Sequence, residues 1–399
     1  MGQFKRHAQS QPKHGKPLSS GASKAPIPPP VNRPGWSGPT YLHKNPKRKP
    51  AAVKEKTQIP QIQSLSIEHQ QLILDTIRTS FPAVDDFSTL TPVLREVREA
   101  LEQKDYSKAF GSEEFKEAYT IRWSPSRALT AANVLAWICS EMSEAAWVQQ
   151  FLLGEEPSKI ACIGRGGSDL LACVTLLKHS HQGKLDEIRQ SESASSDADD
   201  KANALFDLSL IDNHDWSTII TKLQNTLTAP PPLSKYATEK AKAANVSAIP
   251  PQVLNPTLSQ LNILESENTT LQGPNPTLIT LFFTLHEFYS ISISKTTAFL
   301  KRLTSEAPKG SLLLIVDGPG AEVALPSKGE GEEKRYPLEW LLYQALLPPK
   351  SKDSEEEVQP AWKKLIEDGH EKEYKLPAGL RYPGSLENTR FQVHLLERL

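Results

Sequence analysis

The sequence has few cysteines and lacks long apolar runs. Its 399 residues include three cysteines, none of them in a CxxC pair, which argues against a zinc site or a disulfide framework and is typical of a reducing compartment. No apolar run approaches the roughly 18 residues that a membrane span needs, and the first ten residues lack the apolar core of a secretion signal. We therefore expect neither a metal nor a membrane segment.

Three common catalytic or phosphate-binding patterns are also missing. The Walker pattern GxxxxGK[ST] does not occur, so phosphate chemistry of that kind is disfavoured. The nicotinamide pattern GxGxxG is incomplete because Asp169 takes the place of the third glycine, which disfavours a nicotinamide oxidoreductase. His286 and Glu287 are followed by Ser290 where HExxH requires its second histidine, so a metalloprotease is not supported.

Acidic residues are nearly absent from the first 60 positions. This segment holds 12 Lys and Arg residues and one acid, Glu55, whereas the remainder holds 34 basic and 46 acidic residues. It is rich in Pro, Ser, Gly and Lys, a composition typical of a disordered basic tail. Lys47, Arg48 and Lys49 resemble a short nuclear import signal and are candidate RNA contacts. The tail predicts a polyanionic partner or a nuclear address, the alternative being a solvated tail without a partner.

Periodicity divides the rest of the chain into a helical extension, 61–155, and an α/β domain, 156–399. Amphipathic runs predict helices that begin after Ser66 and cover Leu94–Leu101, Glu113–Tyr119 and Leu129–Leu152. Strands and helices then alternate, which indicates a parallel sheet with crossover helices. The predicted strands are Ile160–Ile163, Leu205–Ile211, Leu258–Leu264, Leu278–Phe283, Ser311–Val316 and a final strand, Phe391–Glu397, with Tyr374–Leu376 as its expected partner. Polar or Pro-rich stretches predict flexible insertions at 183–203, 229–252 and 348–360.

The stretch KIACIGRGGSDLLACVTLL is the most informative part of the sequence. The first predicted strand ends in the turn Gly164, Arg165, Gly166 and Gly167, and a helical pattern follows at once. Glycines let the backbone approach a ligand closely, and the start of a helix offers unpaired N–H groups. The turn predicts a nucleotide-binding unit, the alternative being a tight turn without a ligand.

Asp212 ends the second predicted strand. A carboxylate at this place accepts hydrogen bonds from both ribose hydroxyls of a nucleoside. Asp212 lies 46 residues after Gly166, and removal of the 21-residue insertion leaves 25, near the roughly 20 that are expected. Asp215 is the rival candidate, although it is also suited to capping the next helix.

The third and fourth strands end in further candidate residues. Asn262 is suited to hydrogen-bond an adenine amino group while Ile263 packs on the ring, and the alternative is an ordinary turn. Thr284, His286 and Glu287 follow the fourth strand, where they are candidates for donor and acceptor contacts. A capped helix start explains the His-Glu pair equally well.

A basic and aromatic segment precedes the first strand. Arg122 and Arg127 are suited to hold a carboxylate or an RNA phosphate, and Trp123 to stack on a base. A helix start, with Ser124 as its cap and Pro125 in its first turn, is the alternative and is compatible with those roles.

Four blocks of the chain carry a family resemblance: IRWSPSRAL at 121–129, CIGRGGSDLLA at 162–172, LFFTLHEFYS at 281–290 and LLLIVDGPG at 312–320. Through them the chain, roughly from Tyr119 to its end, resembles the fungal family of S-adenosylmethionine-dependent methyltransferases that modify N3 of a uridine in large-subunit ribosomal RNA. The chain departs from related sheets at Asn262, where Asp is frequent.

The resemblance implies a class I Rossmann-like methyltransferase fold, a mostly parallel sheet with a late antiparallel strand. It implies S-adenosylmethionine as the cofactor and ribosomal RNA or a pre-ribosomal particle as the partner. The glycines of the turn would surround the methionine part of the donor, with Asp212 at the ribose and Asn262 and Ile263 at the adenine.

The resemblance also implies a nuclear or nucleolar location, with the cytoplasm as an alternative, and we favour a monomer. Glu287 and His286 are then candidate bases for the uridine, and Arg122 is a candidate for stabilising charge on its carbonyl oxygens. The alternatives are a methyltransferase for a protein or small molecule, and a non-catalytic ribosome-assembly factor.

Overall fold

A computed structural model describes residues 59–164, 166–192, 204–267, 271–326, 333–347, 360–366 and 371–399. Several predictions fall outside these ranges. They concern Lys47, Arg48, Lys49 and Arg165, together with the basic tail and most of the first and third predicted insertions.

The part of the chain before the sheet is helical, as its periodicity predicts. Ser66 caps the first helix because its hydroxyl accepts a hydrogen bond from the backbone N–H of His69 at 3.3 Å. The predicted run Leu129–Leu152 is not one helix but two, since the chain leaves helical geometry between Met142 and Ala145. The helices are α1 Ile67–Ser80, α2 Phe87–Glu102, α3 Tyr106–Ala109, α4 Glu113–Arg122, α5 Ser124–Glu141 and α6 Ala146–Leu153.

The helix α5 begins one residue earlier than its predicted cap implies. Ser124 is its first residue and is buried, so Trp123 takes the N-cap position and makes no side-chain cap hydrogen bond. Pro125 lies in the first turn, as predicted, where its missing N–H costs nothing.

Eight strands form the central sheet in the order β3-β2-β1-β4-β5-β10-β8, with β9 paired to β10. The strands β1 to β5 are parallel, and β10 runs antiparallel to β5. This is the mostly parallel sheet with a late antiparallel strand that the sequence predicts. The strands are β1 Ser158–Ile163, β2 Phe206–Asp212, β3 Leu254–Gln260, β4 Thr277–Phe282, β5 Leu312–Asp317, β8 Trp362–Lys364, β9 Lys372–Tyr374 and β10 Thr389–Arg398, and a separate hairpin pairs β6 Glu322–Pro326 with β7 Glu333–Pro337.

Helices cover both faces of the sheet. Side chains alternate along β1, so Ile160 and Cys162 join the core beneath α1 to α8, while Ala161 and Ile163 join the core beneath α10 to α12. The helical extension therefore shares one core with the sheet. The remaining helices are α7 Gly166–Glu192, α8 Ser217–Thr228, α9 Glu239–Ala243, α10 Leu285–Ile291, α11 Ile293–Glu306 and α12 Leu338–Leu346.

Two sequence predictions are corrected. The third strand is Leu254–Gln260 rather than Leu258–Leu264, because Pro256 lies inside an edge strand, where one ladder position can forgo a hydrogen bond. Asn262 and Ile263 consequently follow the strand instead of ending it. The first predicted insertion does not begin at Gly183, since helical geometry resumes after a kink at His181, continues to Glu192 and buries Leu185.

The described residues include neither a membrane-spanning helix nor a metal-binding cluster. In that part of the chain, no helix is long and apolar enough to cross a membrane. No cluster of three His, Cys, Asp or Glu side chains suited to a metal ion occurs there either.

Candidate functional site

Gly164 joins three strand ends. Its backbone N–H donates to the carbonyl oxygen of Ile211 at 2.9 Å, and its φ of +117° lies in the region that favours glycine. A Cβ atom on Gly164 would lie 2.6 Å from Oγ1 of Thr284. Any side chain here would therefore fill the space between the ends of β1 and β4.

Gly166 and Gly167 open α7 and let it pack closely. A Cβ atom on Gly166 would meet Leu210 of β2 at 3.4 Å, and one on Gly167 would meet Ile219 of α8 at 3.5 Å. These are ordinary van der Waals distances, so packing alone does not exclude a small side chain. Gly166 also borders a small cleft that Asp212 shares, and its place at the start of α7 leaves N–H groups available to a ligand.

Asp212 ends β2 with its side chain 13% exposed. Its Oδ1 atom accepts a hydrogen bond from the backbone N–H of His214 at 2.8 Å and lies 3.3 Å from Nδ1 of that residue. Its Oδ2 atom accepts no hydrogen bond from the described residues. The carboxylate is thus held in place with one oxygen available to a ligand.

Asp215 is used differently. It accepts the backbone N–H of Ser217, the first residue of α8, at 2.9 Å. Hydrogen bonds from the Ser217 side chain and backbone hold the pKa of the Asp215 carboxyl below its usual value. Asp215 therefore serves as a helix cap, the role that the sequence allowed for it.

An open pocket lies at the carboxyl ends of β1, β2 and β4 and encloses about 740 Å³, including its solvent-filled mouth. This is the edge at which α/β sheets bind ligands. Six of the predicted residues line it: Gly164, Asp212, Asn262, Ile263, Thr284 and Glu287. The tertiary structure adds residues that the sequence analysis missed: Tyr106, Phe110, Asn213, His214, Leu261, Leu264, Glu265, Phe288, Ile291 and Lys295.

Phe110 is the most informative of the missed residues. It comes from the helical extension, and its ring centroid lies 5.3 Å from that of His214 and 5.4 Å from that of Trp216. Lys116 of α4, a buried lysine, holds the same loop because its Nζ donates to the carbonyl oxygen of Asp215. No local pattern marks these residues, because their partners are about 100 positions away.

The loop after β3 places Asn262 and Ile263 together at the pocket. Oδ1 of Asn262 accepts the backbone N–H of Leu264 at 3.2 Å, and Arg302 donates to the carbonyl oxygen of Ile263 at 2.7 Å. Ile263 is buried and Asn262 is exposed. The same residues therefore form both a turn and part of the pocket wall, so the two interpretations of this sequence, an ordinary turn and a ligand contact, are compatible.

The segment after β4 combines a cap and a pocket wall. Asp317 at the end of β5 accepts the backbone N–H of His286 at 2.9 Å and so caps α10. Burial raises the pKa of the Asp317 carboxyl. Glu287 lines the pocket and His286 is not among its lining residues, while the buried Oγ1 of Thr284 donates to the carbonyl oxygen of Phe282 at 3.0 Å.

The two predicted arginines have different surroundings. Arg122 forms an ion pair with Glu387 of the C-terminal segment. Arg127 lies over the rings of Phe283 and Tyr119, with its Cζ atom 5.4 and 5.7 Å from the ring centroids. Trp123 stacks on Tyr119 at 5.5 Å. None of Arg122, Trp123 and Arg127 lines the pocket itself.

A parallel sheet with a glycine turn after its first strand and a carboxylate at the end of its second defines a nucleoside-binding α/β protein of the Rossmann type. A family model described as "Putative SAM-dependent methyltransferase" matches residues 77–397. The chain belongs to this family of S-adenosylmethionine-dependent methyltransferases, and the match includes both the helical extension and the sheet.

A curated relative and several solved structures were also found. The 25S rRNA (uridine(2843)-N(3))-methyltransferase of Saccharomyces cerevisiae is 27% identical over 314 residues, which cover 77% of this chain and 78% of that protein. A SAM-dependent methyltransferase from Methanosarcina mazei has a TM-score of 0.29 and 11% identity, covering 61% of this chain and 93% of its own. The 16S rRNA (adenine(1408)-N(1))-methyltransferase from Catenulisporales acidiphilia has a TM-score of 0.28 and 12% identity, covering 63% and 92%. The family assignment depends on the family model alone.

Proposed function

We propose that this protein transfers a methyl group from S-adenosylmethionine to N3 of a uridine in large-subunit ribosomal RNA. One observation carries the donor site: Gly164 and Asp212 meet in a single pocket at the carboxyl edge of the sheet. The yeast relative supports the acceptor, because its name specifies that nucleotide position in ribosomal RNA.

The residues present fit such a donor. Gly164, Gly166 and Gly167 would surround its methionine part together with Arg165 and Thr284, since a Cβ atom on Gly164 would occupy that space. Asp212 would accept the ribose hydroxyls through its available oxygen.

Other residues that line the pocket suit the adenine. Ile263 and Phe288 offer it apolar contact there, and the amide of Asn262 offers a hydrogen-bond partner. The bound donor supplies a methyl group on a sulfonium, whose sulfur keeps the electron pair when the methyl leaves.

The protein's own contribution is to hold the base in line and to remove its N3 proton. Glu287 is the better candidate for the proton acceptor because it lines the pocket, whereas His286 does not. Arg122 is already ion-paired with Glu387, so we expect it to position the C-terminal segment beside the site. The target base has to leave its stack to reach the donor.

The remaining parts of the chain have proposed roles outside the pocket. The basic segment 1–60, with Lys47, Arg48 and Lys49, would add salt-dependent affinity for RNA and direct the protein to the nucleus and nucleolus. Trp123 is a candidate for stacking on RNA beside the site. We propose that the protein, with its helical extension 61–155 and its sheet domain 156–399, acts as a monomer.

Calorimetric binding and a transfer assay together test this function. We expect S-adenosylmethionine to bind the full chain with a Kd in the micromolar range and a tritiated methyl group to appear in large-subunit ribosomal RNA as N3-methyluridine. Asp212→Ala should lower donor affinity at least tenfold. Asp215→Asn is the matched control, because an asparagine there keeps the helix cap, and its donor affinity should be unchanged.

The other outcomes identify the alternatives. Donor binding with methyl transfer to a protein or small molecule, and none to RNA, would replace the proposed acceptor. Donor binding without transfer to any acceptor would indicate a ribosome-assembly factor. If donor affinity is absent or equally strong in Asp212→Ala, the proposed donor site is wrong.

A further inference from the structure

Arg127 holds its positive charge over two aromatic rings at the carboxyl edge of the sheet. Its side chain is half-buried, and its Cζ atom lies 5.4 Å from the ring centroid of Phe283 and 5.7 Å from that of Tyr119. Arginine faces the electron-rich side of aromatic rings favourably. Such stacking leaves the N–H groups along the guanidinium edge available to hydrogen-bond acceptors.

No acidic side chain neutralises this arginine within the described part of the chain. Its guanidinium forms neither an ion pair nor a hydrogen bond with the residues of those ranges. The neighbouring Arg122, five positions earlier, has Glu387 as its partner. Burying half of a charged side chain without a counterion costs free energy. An anion from outside the chain would offset that cost at Arg127.

The loop below Arg127 ties it to the pocket. Phe283 follows β4 and precedes Thr284, which lines the pocket. Phe283 has a φ of +56°, an uncommon conformation for a residue with a Cβ atom. Its backbone N–H donates to the carbonyl oxygen of Val316 at 2.7 Å, which fixes the turn. The ring of Phe283 lies beneath Arg127 of α5, and the next residue along the chain, Thr284, lines the pocket.

We propose that Arg127 is an oxyanion-binding residue of the reaction centre. This inference rests on the proposed function, which brings two sources of anionic oxygen to that edge. One is the carboxylate of the donor's methionine part, and the other is a uracil carbonyl oxygen that gains negative charge when N3 loses its proton. The planar guanidinium donates two parallel hydrogen bonds to a carboxylate or a charge-assisted hydrogen bond to a carbonyl oxygen.

The experiment compares two ligands and one reaction in the full chain. Arg127→Gln and Arg127→Lys are titrated calorimetrically with S-adenosylmethionine and with 5′-methylthioadenosine, which lacks the amino-carboxyl tail. Single-turnover methyl transfer to ribosomal RNA is then measured against pH. Lys222→Gln is the matched control, since Lys222 also lies over a ring, that of Phe81 at 5.3 Å, but is already paired with Glu117.

Two outcomes support the proposal and distinguish the two possible ligands of Arg127, the donor carboxylate and the uracil oxygen. If the donor carboxylate is the ligand, Arg127→Gln binds S-adenosylmethionine at least tenfold more weakly and binds 5′-methylthioadenosine within twofold of the unmodified chain. If the uracil oxygen is the ligand, both affinities stay within twofold, but transfer slows at least tenfold. Arg127→Lys then keeps part of the rate, because lysine retains the positive charge. A higher pH restores part of the rate of Arg127→Gln, because it favours the deprotonated uracil.

Three outcomes overturn it. Equal loss of affinity for both ligands, together with a lower melting temperature, would show that Arg127 only supports the fold. Changes below twofold in affinity and rate would show that no oxyanion uses it, and an equal effect of Lys222→Gln would show that the response is not specific. If the unmodified chain methylates no RNA, the proposed acceptor fails, while the comparison of the two ligands still tests Arg127 at the donor.

Discussion

Gly164 is the residue at which the ends of three strands depend on one another. It bonds to Ile211 at the end of β2 and leaves no room for a Cβ atom beside Thr284 after β4. The glycine turn was predictable because several glycines directly after an apolar strand form a local pattern that indicates a tight turn. The need for glycine at position 164 in particular was not, since the lack of room for a Cβ atom there depends on a distant threonine.

Gly164→Ala should destabilise the protein by about 2 kcal/mol and weaken donor binding, because alanine is strained at φ +117° and its Cβ atom would clash with Oγ1 of Thr284. The measurement is urea unfolding combined with donor titration. Gly183→Ala is the control: it lies in α7 with no atom within 4 Å of an added Cβ, so it should gain up to about 1 kcal/mol. Equal stability of the two variants would contradict this account.

The residues of the pocket differ in how far the sequence alone predicts them. Asp212 could be predicted because an acid at a strand end is a local pattern. The sequence also predicts Asn262 and Ile263 as pocket residues, although it places the strand that precedes them four residues too late. Phe110 and Lys116 could not be predicted, because their significance lies in contacts with a loop about 100 positions away.

At the scale of elements, the helical extension is part of the site and not an appendage. Its short helix α3 brings Tyr106 and Phe110 to the pocket, and Phe110 is only 4% exposed. Periodicity predicts most helices of the extension but not the short α3. It does not predict that α3 lines the pocket beside the loop after β2, since that depends on how the helices pack against the sheet.

Phe110→Ala should therefore affect the pocket and the fold together. We expect a loss of about 3 kcal/mol of stability from the cavity and at least tenfold weaker donor binding, because the ring supports the His214 side of the pocket. Phe110→Leu keeps most of the apolar volume, so it should retain stability within about 1.5 kcal/mol. Chemical unfolding and calorimetry measure the two effects, and unchanged donor affinity in Phe110→Ala would show that α3 is not part of the site.

At the scale of the whole molecule, buried histidines make stability depend on pH. Burial lowers the pKa of His181, and lowers that of His394 to about 4. The unfolded chain takes up these protons near pH 6.5, whereas His394 in the folded chain stays neutral until about pH 4. The unfolded state thus binds more protons in this window, and stability falls as the pH falls.

We expect His394 to account for a loss of about 1 kcal/mol of unfolding free energy between pH 7.5 and pH 5.5. The change His394→Gln should make the stability of the protein correspondingly less dependent on pH over this interval, whatever it costs at pH 7.5. Urea unfolding of both proteins at the two pH values measures the difference. The same pH dependence in both would show that His394 does not titrate as described.

The basic segment gives a second prediction at this scale. Removal of residues 2–57 takes away all 12 basic residues of the first 60 positions. The shortened protein should keep its donor affinity and melting temperature, while its affinity for RNA falls and becomes less dependent on salt, because fewer phosphate charges are neutralised. Filter binding at several salt concentrations measures this, and unchanged RNA affinity together with unchanged nuclear localisation would refute the role of the segment.

The sequence by itself determined the class of fold, the places of most parallel strands along the chain and the two strand-end features of the pocket. These follow from local patterns: apolar periodicity, glycines after a strand and an acid at the end of the next. Only the tertiary structure decided which part of the helical extension lines the pocket, which of two nearby arginines is already neutralised, and that a proline-containing strand lies at the sheet edge. Those outcomes depend on contacts between distant segments, and they arise only when the chain packs into one core.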